Sequence, residues 1–159
     1  RLLSALYGAL FHAVVAGVVL AVAVAKRVEV PAAFWAAAAP AMMVAGGLVY
    51  ASLVAGYVAR RSVRRNALFY DSLIGMMAEV AVLAVTSVLY AVIVSGGALV
   101  DEGPLGYLAA VASAAVVGFL WAAGSFLLQV LVVGNAAGLV GWWTMEKLPG
   151  VLARFRRAA

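Results

Sequence analysis

Four long apolar runs, nearly free of charge, leave this chain few ways to fold. Crossing about 30 Å of hydrocarbon as an α-helix takes roughly 20 apolar residues. The sequence offers such runs at about 4–25, 32–57 and 72–94, with a last one somewhere between Tyr107 and Trp143. Each is apolar on every side and rich in Ala, whereas barrel strands alternate inward and outward over about ten residues. The expected fold class is therefore all-α, a polytopic transmembrane bundle of four helices in one domain over 1–159. Composition agrees, because 68% of residues are hydrophobic and 11% charged, against roughly half and a quarter in water-soluble domains. That is too little charge to clothe a soluble globule.

The last run is too long for one straight span, since 1.5 Å per residue from Leu105 to Trp143 exceeds the membrane thickness. One option ends the span near Gly134 and Asn135. The other starts it near Ala114, covers about 114–141, and leaves Trp142 and Trp143 in the headgroup belt. The second is preferred, with a basic tail over 145–159. In that tail Val151, Leu152 and Phe155 alternate with Arg154, Arg156 and Arg157, the pattern of a short interfacial helix on an anionic leaflet. Splitting the run into two spans would need a turn near Gly124 with no polar loop.

Charge sets the expected orientation. Arg1, the cluster Arg60, Arg61, Arg64 and Arg65, and the tail cations Lys147, Arg154, Arg156 and Arg157 fall on one side of four alternating helices. Lys26 and Arg27 fall on the other. The positive-inside rule then makes both termini cytoplasmic, in the cell membrane of a prokaryote. The outer loops are Lys26 to Pro31 and Ser95 to Gly106. The first run closes in Ala21, Val22, Ala23, Val24 and Ala25, which looks like a signal-peptidase site, yet its length suits an uncleaved anchor better.

Several chemistries lack their residues. The chain has no Cys and a single His, so it holds no disulfide, thiolate metal site or His cluster of its own, and neither metal nor cofactor is expected. Glycine-rich phosphate loops and internal repeats are absent too. Nucleic-acid binding does not fit this little charge beside a membrane, and no nucleophile or pair of intramembrane carboxylates points to an enzyme.

Glu79 carries the most information. It lies about 12 Å past Asp71 along the third run, where an unpaired charge costs at least ~2.5 kcal/mol. At 100° per residue Ser72, Thr86 and Tyr90 fall within about 20° of it, giving that helix one polar stripe. His12 advances as far along the first helix as Glu79 does along the third, so the two share a depth and can pair, with Gly8 and Ala16 permitting close helix approach there. Glu79, His12, Thr86 and Tyr90 are the candidates for a proton or ion relay. Tyr50, Ser52, and either Gln129 or Asn135 are placed to extend a polar layer. Asp71 reads as a favourable charge at a helix entry.

The cations Arg60, Arg61, Arg64 and Arg65 serve first as a topology signal and are candidates for binding anionic lipid headgroups or phosphate. Rows of small residues at Ala13, Gly17, Ala21, at Gly47, Ala51, Ala55, and at Ala110, Ala114, Gly118, Ala122 prepare close helix contacts. Their surplus over what four helices need points to a homo-oligomer or to other membrane subunits. Two functions follow. One is a non-catalytic structural or accessory subunit of a membrane assembly; the other is a small oligomeric channel or proton-coupled transporter using Glu79.

Overall fold

The computed structural model describes residues 1–29, 31–58 and 67–158. Among them there is helix and no strand. The elements are α1 (Leu2–Ala25), α2 (Ala32–Val49), a π-helical turn (Tyr50–Val54), α3 (Ala55–Val58), α4 (Ala67–Val94), α5 (Gly96–Asp101), α6 (Gly103–Leu127), a second π-helical turn (Leu128–Val133) and α7 (Gly134–Ala158). Among the described residues, four stretches are long and apolar enough to cross a membrane, at Leu2–Ala25, Ala32–Leu53, Tyr70–Val94 and Gly103–Leu120. The shorter apolar stretch Leu128–Gly141 follows them.

Three boundaries differ from the sequence reading. Helix α4 starts at Ala67 rather than near Ser72, so Asp71 sits inside it and is buried instead of marking its entry. The loop expected from Ser95 to Gly106 contains α5, and the turn into α6 is made by Gly103 at φ 73°, a left-handed conformation open to glycine at little cost. The last apolar run is helical from Gly103 onward, and its candidate span is Gly103–Leu120, where the sequence reading preferred a span over about 114–141. It passes through the π turn and position 149 to Ala158, so the basic tail belongs to α7 rather than to a separate short helix. Met, Glu, Lys, Leu, Ala and Arg around that position are good helix formers, and the single donor missing at Pro149 does not stop the helix.

Contacts along the helices show how they run. A Cβ built on Gly118 approaches Ser87, one on Gly134 comes 2.8 Å from the Met76 Cα, and one on Gly138 meets the Asp71 carbonyl. As α6 and α7 advance, α4 recedes, so the two lie antiparallel, with α4 flanked at least from Gly118 to Gly138. Helix α2 returns beside α1, where Gly8 meets Gly46 and Tyr50, and packs on α4, where Phe34 meets Tyr90. Helix direction thus alternates.

The centre is small. Tyr7, Ala45, Val49, Tyr50, Ala78, Val82 and Ala137 form its buried apolar cluster. Leu10, Val14 and Val18 on α1 and Val116, Val117, Phe119 and Leu120 on α6 face outward and are well exposed. Apolar surface this extensive is unfavourable against water and suited to lipid.

Candidate functional site

Two glycine contacts build the centre of the structure. Where α1 crosses α2, a Cβ on Gly46 would run into the His12 Nδ1 and the Gly8 carbonyl, so the absent side chain is what admits the imidazole. Where α4 crosses α7, Gly75 meets the Gly134 carbonyl, and a Cβ on Gly134 would lie 3.2 Å from the Glu79 Cγ. Backbones this close are what small residues allow between apolar helices. The His12 and Glu79 side chains fill the space between these contacts.

There His12 Nε2 and Glu79 Oε1 lie 2.9 Å apart. Neither residue reaches solvent, at 0% and 2% exposure. His12 Nδ1 lies 2.7 Å from the Gly8 carbonyl, one turn back on α1. A carbonyl oxygen only accepts, so Nδ1 carries the proton. The contact to Glu79 then holds one further proton. Either Nε2–H⁺ donates to the carboxylate, or the carboxylic acid donates to neutral Nε2; both forms sum to zero charge. A pair without net charge avoids much of the cost of placing an isolated ion among apolar helices.

Aromatic rings enclose the imidazole. Phe11 stands edge-on at 5.6 Å and Tyr50 at 5.9 Å between ring centroids, and Tyr7 lies 5.4 Å from Tyr50. The Tyr7 hydroxyl donates to the Ala137 carbonyl at 2.7 Å, tying α1 to α7. The Tyr50 hydroxyl is buried and has no hydrogen-bond partner among the described residues.

The other relay candidates stand apart from this pair. Thr86 and Tyr90 lie further along α4, beyond the buried Val82 and Leu83, and border a separate cavity of about 120 Å³ with Phe34, Ala38, Ser87 and Gly118. The Thr86 Oγ1 is buried without a partner among the described residues. Ser72, the fourth member of the stripe, donates to Asn135 Oδ1 on α7, and Asn135 Nδ2 donates to the Leu131 carbonyl in the π turn. Gln129 is buried in that same turn. Ser52 turns to the Leu48 and Val49 carbonyls of its own helix and joins no shared layer. Arg60, Arg61, Arg64 and Arg65 lie outside the described residues. Among the described residues, no three His, Asp or Glu side chains gather to hold a metal ion.

Sequence reasoning passed over Tyr7, Gly46, Gly75, Gly134 and Gly138. A signal existed for two of these, since Gly134 and Gly138 form a GxxxG spacing in an apolar run. No pattern along the chain could pair Tyr7 with Ala137. No protein-family model, curated protein or solved structure matches the chain.

Proposed function

We propose that this is a non-catalytic integral membrane protein, a structural or accessory subunit of a membrane assembly or homo-oligomer, in which the His12–Glu79 pair fastens α1 to α4. One observation carries the reading. Both ionisable groups are sealed from solvent, paired with each other at 2.9 Å and fitted by glycines on either side. Buried polar pairs between apolar helices set register in this way. The small-residue row of Ala13, Gly17 and Ala21 supports assembly, since a Cβ on Gly17 would touch nothing within 4 Å. In this reading both termini are cytoplasmic in a prokaryotic cell membrane, and Arg60, Arg61, Arg64 and Arg65 meet anionic lipid headgroups.

A second reading, a small oligomeric channel or proton-coupled transporter working through Glu79, draws on a different observation. Tyr50, beside the imidazole, and Thr86, about two turns past Glu79 on α4, each bury a hydroxyl that has no partner among the described residues. Unpaired buried hydroxyls are costly and suit transient proton carriers.

Liposomes holding the purified chain separate the two. Under an imposed pH gradient, native protein and Glu79→Gln at equal incorporation should both give the proton leak of empty vesicles, while native mass spectrometry from detergent shows a defined multimer or a co-purifying subunit. Flux in the native protein that vanishes in the variant overturns the structural reading and establishes the second.

A further inference from the structure

At the end of the helices away from the chain termini, α1, α2 and α4 surround an open cleft of about 660 Å³. Its lining includes Val19, Ala23, Glu29, Phe34, Trp35 and Tyr90. The way α1 stops gives the cleft its charge. Arg27 N–H donates to the Val24 carbonyl and Val28 N–H to the Ala23 carbonyl, with Arg27 at φ 54°. This is a Schellman turn, which folds the following residues back over the last turn of its helix. Glu29 is thereby brought to the cleft, while Lys26 and Arg27 stay outside its lining. Among the described residues no ion pair engages Glu29.

The inner wall is aromatic. Phe34 and Tyr90 stand 5.4 Å apart between ring centroids, and Phe34 and Trp35 stand 5.5 Å apart edge to face. The remaining lining is aliphatic, and the volume lies in the range of small-molecule sites.

These parts select one ligand chemistry. A compact metal ion would find a single carboxylate and no other oxygen cage, and an anionic amphiphile would meet Glu29 head-on. A cation whose charge is spread over an apolar body satisfies each part at once: the carboxylate supplies counter-charge, the negative ring faces attract the cation, and the aliphatic wall takes the body. We propose that the cleft between α1, α2 and α4 binds lipophilic organic cations, of the quaternary ammonium or phosphonium class, with Glu29 as counter-charge and Phe34, Trp35 and Tyr90 as the aromatic wall.

Tetraphenylphosphonium and tetraphenylborate have the same shape and opposite charge, so they separate charge recognition from partition into detergent. Calorimetric titration of the full chain in uncharged detergent should give saturable binding of tetraphenylphosphonium. Glu29→Gln should weaken it by about tenfold, as should Trp35→Ala, while tetraphenylborate binds Glu29→Gln no worse than native. Glu102→Gln, at the same end of the molecule but outside the cleft, should bind as native does. Equal tetraphenylphosphonium uptake by native protein and Glu29→Gln, including uptake no greater than that of empty micelles, overturns the proposal. Glu29 is exposed, so its replacement by the isosteric amide leaves the fold in place.

Discussion

Glu79 reaches His12 across 67 positions of sequence and holds it at 2.9 Å while the other imidazole nitrogen is anchored to the Gly8 carbonyl. The anchor fixes which nitrogen is free, and that choice makes the two possible replacements of Glu79 unequal. In Glu79→Gln the amide N–H donates to Nε2 and the fold keeps its stability to within about 1 kcal/mol. In Glu79→Ala the buried Nε2 loses its partner and a cavity opens, at a cost of about 2–4 kcal/mol. Thermal unfolding in detergent should order the proteins as native, then Gln, then Ala; an amide variant as unstable as the alanine one would require an ionised carboxylate in the native pair.

Tyr7 and Tyr50 are buried neighbours with opposite hydroxyl bookkeeping. Tyr7 gives its proton to the Ala137 carbonyl, whereas Tyr50 has no partner among the described residues. Tyr7→Phe should therefore cost about 0.5–1.5 kcal/mol, and Tyr50→Phe should be neutral or stabilising because it removes an unsatisfied group. Unfolding midpoints of the two variants, measured side by side, check the contrast.

Two glycines in long helices should respond to alanine with opposite signs. A Cβ on Gly134 would lie 2.8 Å from the Met76 Cα, which is backbone and cannot step aside. Gly134→Ala should separate α4 from α7, lower stability by about 1–3 kcal/mol and disturb the Glu79 side chain beside it. At Gly17 a Cβ has open space, so Gly17→Ala should gain about 0.5–1 kcal/mol in the monomer from helix propensity. Loss of a native multimer in Gly17→Ala, with the monomer intact, would locate a subunit contact on that row.

The helices could be read from the sequence because a membrane makes hydrophobicity nearly one-dimensional: long apolar runs have to be spanning helices, and Lys26–Pro31 has to be a turn. The shared depth of His12 and Glu79 was legible for the same reason, since each is measured from its own helix end. What the runs do not encode is facing. Gly46 and Gly47 sit side by side, and the row through Gly47 has the cleaner small-residue spacing, yet Gly46 is the one against the imidazole. Thr86 and Tyr90 share the Glu79 stripe but border a separate cavity about one to three turns further on, with the buried Val82 and Leu83 lying between along α4. Asp71 reads as a helix entry because its charge interrupts the apolar run, although Ala67, Leu68, Phe69 and Tyr70 before it carry the helix back.

Arg27 holds a left-handed backbone conformation that closes α1, with φ at 54°. A side chain there costs about 1 kcal/mol relative to glycine. Arg27→Gly should therefore raise the stability, and with it the unfolding midpoint, by up to about 1 kcal/mol less the entropy that glycine adds to the unfolded chain. Arg27→Val, β-branched and intolerant of positive φ, should lower it. The two variants carry the same change of charge, so the difference between them isolates the backbone.

The π turn at Leu128–Val133, closed by the Gly134 N–H on the Gln129 carbonyl, settles how a single continuous helix can keep one seam against α4. At 100° per residue, Gly118 and Gly134 would be about 160° apart on an unbroken α-helix, one facing α4 and the other lipid. One extra residue wound into a π turn brings that separation down to about 60°. The chain thus carries one residue more than the seam requires, stored in this segment. Removing the exposed Val132 should convert the turn to ordinary α-helix and leave Gly134 and Gly138 on α4, while removing Gly124, within regular helix, should rotate every later contact by about 100° and unfasten α7.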